Sequence, residues 1–436
     1  MSLNFTLLVN DEVKRFNANS VDAALSSLRA INIPSDCPED ILRSIEADDL
    51  SVTELQISKS HTLPESDPNY GSLLDHIGNS NVVPFLGAGA SLSAWNRTNP
   101  NASHAPSAAE LASEIAIMGG LYSLPLSDRL NLARVASYYQ LTWEYSQQNN
   151  SDDAQHHDPP PDADTPDATH SSTRPQGLAQ ILARRFSDCG EPGSIHNFLA
   201  DRSDRFPVIV TTNYDNLLEK AFESRRTAFI KIVHIASDLE NAASVYFDVH
   251  MERERGAFSG NSNKEKVPTS DLEERCNRAR NDTGLPLPII YKMHGSVEHN
   301  QFVITEEDYV RFLAGVNYQP PVFPQFLAKV LARTRFLFLG YSLEDWNFRV
   351  ILESLKSFTR PKPSQSSASL PEKFRTIRND QNQTNVHWSI QRNTTQIDTR
   401  IWSLRRVEVC NLDINKFVTR LKHAENLRRQ QQPNRP

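Results

Sequence analysis

Four short apolar runs in this chain each end in glycine or small polar residues, and that repeated design limits the folds open to it. Val82 to Leu86 runs into Gly87-Ala88-Gly89-Ala90-Ser91, and Pro207 to Val210 into Thr211-Thr212-Asn213-Tyr214-Asp215. Pro288 to Tyr291 is followed by Lys292-Met293-His294-Gly295-Ser296, and Phe336 to Leu339 by Gly340-Tyr341-Ser342-Leu343-Glu344-Asp345. Continuous apolar runs of about four to six residues, with aromatic and β-branched members, read as strands covered on both faces. The chain is therefore expected to be α/β, with a Rossmann-like parallel sheet flanked by helices on both faces. Ligands of such sheets bind outside the carboxyl ends of the strands, where all four polar runs fall.

Each run taken alone has a purely structural reading. A tight strand-to-helix turn needs glycine for backbone reasons, and the third glycine of the dinucleotide fingerprint is absent, since Ala90 and Ser91 follow Gly89. Asn213 or Asp215 alone would cap a helix starting near Asn216, and His294 alone would be a satisfied structural histidine. Those readings leave the coincidence unexplained. Turn glycines, a carboxamide, a carboxylate and an imidazole all fall at strand ends of one inferred sheet, and together they describe a nucleotide site.

In order and content the four runs resemble the sirtuin superfamily, the NAD-consuming fold shared by sirtuin deacylases and bacterial sirtuin-like NAD hydrolases. The resemblance covers about Gly71 to Leu421. It implies that NAD is bound by Gly87, Ala88, Gly89, Ser91, Thr212, Gly340 and Ser342. It also implies that Asn213, Asp215 and His294 form the catalytic set, with the asparagine and aspartate beside the nicotinamide ribose. The departures point to a branch. The first loop continues Leu92-Ser93-Ala94-Trp95-Asn96-Arg97 rather than with the sirtuin motif, and Cys37, Cys189, Cys276 and Cys410 lack the paired spacing of the sirtuin zinc ribbon, so no metal is expected. Without that ribbon a deacylase is disfavoured.

A further run, Phe302 to Tyr309, and the fourth run, Gly340 to Asp345, look like those of sirtuin-like domains in bacterial antiphage systems. Thr305 and Asp308 also read as a helix cap, and Asp345 as a helix-start residue facing the macrodipole. The resemblance implies an NAD+ hydrolase that releases nicotinamide and ADP-ribose as a toxic effector. It further implies a homo-oligomer acting beside a HerA-type DNA-translocating ATPase or a short Argonaute. A nucleotide sensor without chemistry is the reading from another class, and the deacylase is the third.

Charge and composition bound the rest. With 46 basic and 53 acidic residues among 436, the net charge of -7 gives no footprint for direct nucleic-acid binding. The stretch from Arg420 to Arg435 is basic and reads as solvated. No apolar run reaches the ~18 residues of a membrane span. Few, unpaired cysteines and a start without a secretion signal suggest the cytoplasm.

Three domains are expected. Residues 1–65 read as a small α+β module for docking or assembly, with a hairpin of Phe5 to Val9 and Val13 to Phe16, a helix reaching Ile31 and another from Pro38 to Ala47. Residues 66–424 form the sirtuin-like catalytic domain, interrupted by flexible insertions near 147–176, 251–284 and 361–385. Val386 to Ile390 and Arg406 to Val409 read as its last strands, Ile414 to Leu421 as its closing helix, and 425–436 as a disordered tail.

Overall fold

The computed structural model describes residues 3–9, 12–18, 63–94, 104–121, 126–153, 177–235, 244–252, 258–259, 265–316, 324–341 and 387–431. At the start, β1 (Leu3–Val9) and β2 (Glu12–Ala18) pair antiparallel, with Val9 opposite Glu12. The two helices expected between residues 19 and 47 lie outside the described residues, as does the excursion at 361–385.

The main sheet is built from β3 (Val82–Leu86), β4 (Val208–Thr211), β5 (Phe229–His234), β6 (Ser244–Glu252), β7 (Phe258–Ser259), β8 (Glu265–Pro268) and β9 (Ile289–Lys292). After a separate small hairpin, β10 (Gly295–Ser296) with β11 (Gln301–Phe302), it is completed by β12 (Arg335–Leu339), β13 (His387–Gln391) and β14 (Val407–Asn411). The strand order is β14-β13-β12-β3-β4-β9-β5-β6-β7, with β8 also on β6. Neighbours from β14 through β5 are parallel, whereas β6 runs antiparallel to β5. The four runs legible in the sequence are thus four adjacent strands, β12-β3-β4-β9, in the middle of the sheet.

Around the sheet lie, in chain order, α1 (Tyr70–Gly78), α2 (Ala88–Leu92), α3 (Ala108–Met118), α4 (Leu132–Asp153), α5 (Leu178–Phe186) and α6 (Ser194–Asp201). They are followed by α7 (Leu217–Ser224), α8 (Leu272–Thr283), α9 (Glu306–Val316), α10 (Gln325–Leu331), α11 (Gln396–Ser403) and α12 (Ile414–Gln431). Alternate strand residues face opposite sides. Val82, Leu86, Ile209 and Ile290 pack with Leu73 of α1, Phe198 of α6, Phe222 of α7 and Phe417 of α12. On the opposite face Val83, Phe85, Val210 and Ile289 pack with Cys276 of α8, Phe312 of α9, Leu327 of α10 and Trp402 of α11. Each such fully buried side chain contributes roughly 1.5–3 kcal/mol by leaving water, which is what holds both helical layers on the strands. A third cluster joins α3, α4 and α5, through Ile115, Val135 and Leu182, to Tyr214 and Ile304 beside the strand ends.

The described part of segment 251–284 differs from the flexible insertion expected there. It holds β7, β8 and α8, and Val267, Leu272 and Cys276 are buried in the core. Residues 147–153 belong to α4, whereas 154–176 lie outside the described residues. The closing helix does not stop at Leu421. It continues to Gln431, and its basic residues have acidic partners: Arg428 pairs with Asp75, Arg429 with Glu425, and Glu425 with Arg202. Those pairs keep residues 425–431 helical where a disordered, solvated tail was expected.

Candidate active site

Parallel pairing sets the four strand ends level. Leu339 is opposite Leu86, Leu86 opposite Thr211, and Thr211 opposite Lys292, so the polar runs begin in one row. At the β12–β3 end of that row backbone lies on backbone. Gly87 N donates to Leu339 O at 3.1 Å, and Gly89 N to Gly340 O at 2.9 Å. A Cβ on Gly89 would sit 2.7 Å from Gly340 Cα, and one on Gly340, at φ +61°, would sit 2.4 Å from Ala90 N. Only glycine fits these places. Two backbone amides of the first loop are therefore engaged inside the protein, and α2 is a single short turn. The missing side chains of Gly87 and Gly89 are thus accounted for by packing against Gly340 and Tyr341.

Next along the row is a buried polar cluster. Asn213 Nδ2 donates to Gly87 O at 3.0 Å and to Ser91 Oγ at 2.8 Å. Ser91 Oγ in turn donates to Asp215 Oδ2 at 2.7 Å, and Asp215 Oδ1 accepts from Leu217 N at 3.0 Å, at the start of α7. Thr212 N reaches Leu86 O at 3.1 Å. The helix-capping part of the structural reading of Asp215 holds, but its other oxygen ties the second run to the first.

The His294 turn is fastened to the Asn213 loop by Met293 N to Thr211 O, 2.9 Å, and Val297 N to Tyr214 O, 3.0 Å. Val303 N donates to His294 O at 2.9 Å, and Gly295, at φ +93°, lies so close to Gln301 that no side chain fits. The His294 ring is buried, edge-on to Tyr309 at 5.5 Å and Phe312 at 5.7 Å, both on α9. That helix is capped as the sequence suggested: Asp308 N donates to Thr305 Oγ1 at 3.1 Å and Thr305 N to Asp308 Oδ2 at 3.0 Å. Ser137 of α4 adds a bond, accepting from Glu306 N at 2.9 Å.

The structure thus joins Gly87, Ser91, Asn213 and Asp215 by hydrogen bonds, and Gly89 to Gly340 by close approach. It brings Thr212 alongside and holds His294 beside them through backbone ties. Ala88 is exposed, and Ser342 lies outside the described residues. The sequence reading missed the ionic groups beneath. Lys292 Nζ lies 3.0 Å from Glu219 Oε1, both fully buried, and donates to Asp215 O. Buried Lys231 pairs with Glu298. Burial raises the Glu298 pKa, but Lys231 outweighs it and brings it to about 2. Burial pushes His196 down to about 4 and His234, at the end of β5, to about 3, the latter with a smaller contribution from neighbouring His294. The available signal was a lysine inside the apolar run Phe229 to His234 and another closing Ile289 to Lys292.

A cleft of about 390 Å³ between α4, α5, β11 and α9, lined by Ser137, Leu178, Phe302 and Asp308, contains none of the expected site residues. Nor does one of about 570 Å³ between α1, α6 and α12. The strand-end runs pack on one another, and residues 95–103 and 342–386, next in chain to two of them, lie outside the described residues. Cys189, Cys276 and Cys410 sit in three separate core clusters. Among the described residues no group of three metal-ligating side chains occurs, and no helix is long and apolar enough to cross a membrane.

Residues 207–393 match the family described as the SIR2-like domain. That match spans less than half of the chain. The matched stretch starts at β4 and takes in Asn213, Asp215, His294 and Gly340, while the Gly87 to Ser91 loop precedes it. The chain is also similar to the NAD(+) hydrolase ThsA of Bacillus cereus (strain MSX-D12), 26% identical over 183 residues, which is 41% of this chain and 28% of that protein. Similar solved structures include Sir2Tm bound to a propionylated peptide, at 12% identity and TM-score 0.29, and a Sir2–p53 peptide–NAD+ complex, at 11% and 0.28. Each covers 83% of this chain and 100% of the other.

Proposed function

We propose that the SIR2-like domain is an NAD+ glycohydrolase. In this reaction water oxygen bonds to the ribose C1′, the bond from C1′ to the nicotinamide nitrogen breaks, and nicotinamide leaves neutral with the electron pair. The proton of the attacking water passes to a base. The observation that carries this reading is the state of Asn213: both its amide protons are donated to the protein. It can address a ligand only through Oδ1, as an acceptor, which suits a group that aims a water or a ribose hydroxyl. His294, in the next loop, supplies the base. Asp215 has both oxygens engaged, so it organises the loop rather than attacking C1′. The loop from Gly87 to Ser91 and the neighbouring Gly340 would receive the dinucleotide, with Thr212 beside it. The similarity to an NAD(+) hydrolase agrees with this reaction.

The wider role follows from the family resemblance. The chain acts as the toxic effector of an antiphage system in the cytoplasm, as a homo-oligomer, switched on by a HerA-type translocase or short Argonaute.

The deciding assay incubates purified protein, alone and with its partner, with NAD+ and measures nicotinamide by chromatography, with and without an acetylated peptide. Peptide-independent release is expected. Release only with peptide would make the protein a deacylase, and ADP-ribose binding without release would make it a sensor. Asn213→Ala and His294→Ala should each lower turnover by at least ~10²-fold while retaining the folded circular dichroism spectrum.

A further inference from the structure

Two lysines lie inside the apolar sheet. Lys231 of β5 and Lys292 of β9 are each 1% exposed, and Glu219 of α7 is 2% exposed. Lys231 is opposite Ile290, two residues before Lys292, so both lysines point to the sheet face that α7 covers. Their partners bracket the active-site loops in the chain. Glu219 follows Asp215 at the start of α7, and Glu298 follows the His294 turn. Lys292 reaches Glu219 and the Asp215 carbonyl together, and Lys231 holds Glu298. The pairs also act on each other: Glu219 favours the charge of Lys231, and Lys292 that of Glu298.

Buried ions are a poor way to stabilise a core, since taking charges out of water costs about what their attraction returns. This network is not even complete, because Glu219 Oε2 accepts no hydrogen bond among the described residues. Apolar side chains would fill the same space at lower cost. The charges instead reach what apolar groups cannot: a backbone carbonyl in the Asn213–Asp215 loop and a carboxylate on the far side of the His294 turn.

We propose that Lys231, Lys292, Glu219 and Glu298 form an ionic frame, buried at both lysines and Glu219 and open to solvent at Glu298, that holds the His294 turn in register with the Asn213–Asp215 loop, with Lys292 as its positioning residue. Its consequence for turnover rests on the glycohydrolase reading; its consequence for geometry does not.

Lys292→Met alone strands the Glu219 charge and is expected to unfold the protein, so the test uses Lys292→Met with Glu219→Leu, which removes both charges and keeps volume. Lys292→Arg serves as the conservative control. The double variant should fold, lose at least ~10-fold in kcat for nicotinamide release and change ADP-ribose affinity less than ~3-fold, while Lys292→Arg restores most of kcat. In NMR spectra of the ¹³C-labelled histidine rings the His294 signal should shift or broaden, while that of solvent-accessible His423 stays in place. Wild-type kcat in the double variant, or ADP-ribose affinity falling as far as kcat, overturns the proposal. If the wild-type protein releases no nicotinamide even with its partner present, the glycohydrolase reading fails, and an unmoved His294 signal in the double variant overturns the frame independently.

Discussion

The two ends of the row of strand-end runs are held together by opposite means. Between β12 and β3 the contact is made by the absence of side chains: Gly87, Gly89 and Gly340 let two backbones touch. From β3 across to β9 it is made by an excess of them: a carboxamide, a hydroxyl and a carboxylate join the β3 and β4 loops, and two lysine–glutamate pairs, with both lysines buried, lie beneath β4 and β9. Steric contact tolerates no enlargement and is indifferent to pH. Ionic contact tolerates changes of size better but depends on the charge of every member.

The sharpest way to break the comparison is Gly340→Ala. It combines a left-handed backbone with a Cβ 2.4 Å from Ala90 N, and should cost about 3 kcal/mol or more in denaturant unfolding. Gly284→Ala, at φ +64° with nothing within 4 Å, isolates the backbone part and should cost about 1 kcal/mol. Equal losses would show that close approach does not hold the glycine end.

The charged end should reveal itself in acid. His196 and His234 are kept neutral in the fold, at about 4 and about 3 against an ordinary 6.5, so the unfolded chain takes up protons first. Their contribution is complete above about pH 6.5 and is lost as pH falls through those values. Glu298, at about 2 against 4.5, is also depressed, and its contribution is lost below pH 4.5. The thermal midpoint should therefore fall steadily from pH 7 to pH 4, and His196→Gln should flatten the upper part of that fall. A midpoint constant over that range would refute the assignment. The smallest effect expected is from Thr305→Ala, which removes the α9 cap and should cost about 1 kcal/mol by the same unfolding measurement.

What could be read in the sequence follows the same division. The strands and their glycines were visible because apolar runs and glycine turns are local signals, and the parallel sheet places those four runs side by side. Asn213, Asp215 and His294 stood out by their position at strand ends. Lys292 and Lys231 did not, since a lysine is ordinarily solvated and the partners that bury these two lie far off in the chain, at positions 219 and 298. Segment 251–284 was misread for the same reason: its many charges obscured Val267, Leu272 and Cys276, the residues that fix it to the core. The cap formed by Thr305 and Asp308 was legible because both partners lie within one turn.

The strand order also bears on how such a protein comes into being. Neighbouring strands β3 and β12 are separated in the chain by some 250 residues, so their pairing must close a very long loop. Contacts of that separation form slowly. On the ribosome the glycine contact cannot exist until Gly340 has emerged, long after Asn213 and His294. An unfinished chain therefore carries the polar residues of the site without the surface that completes it.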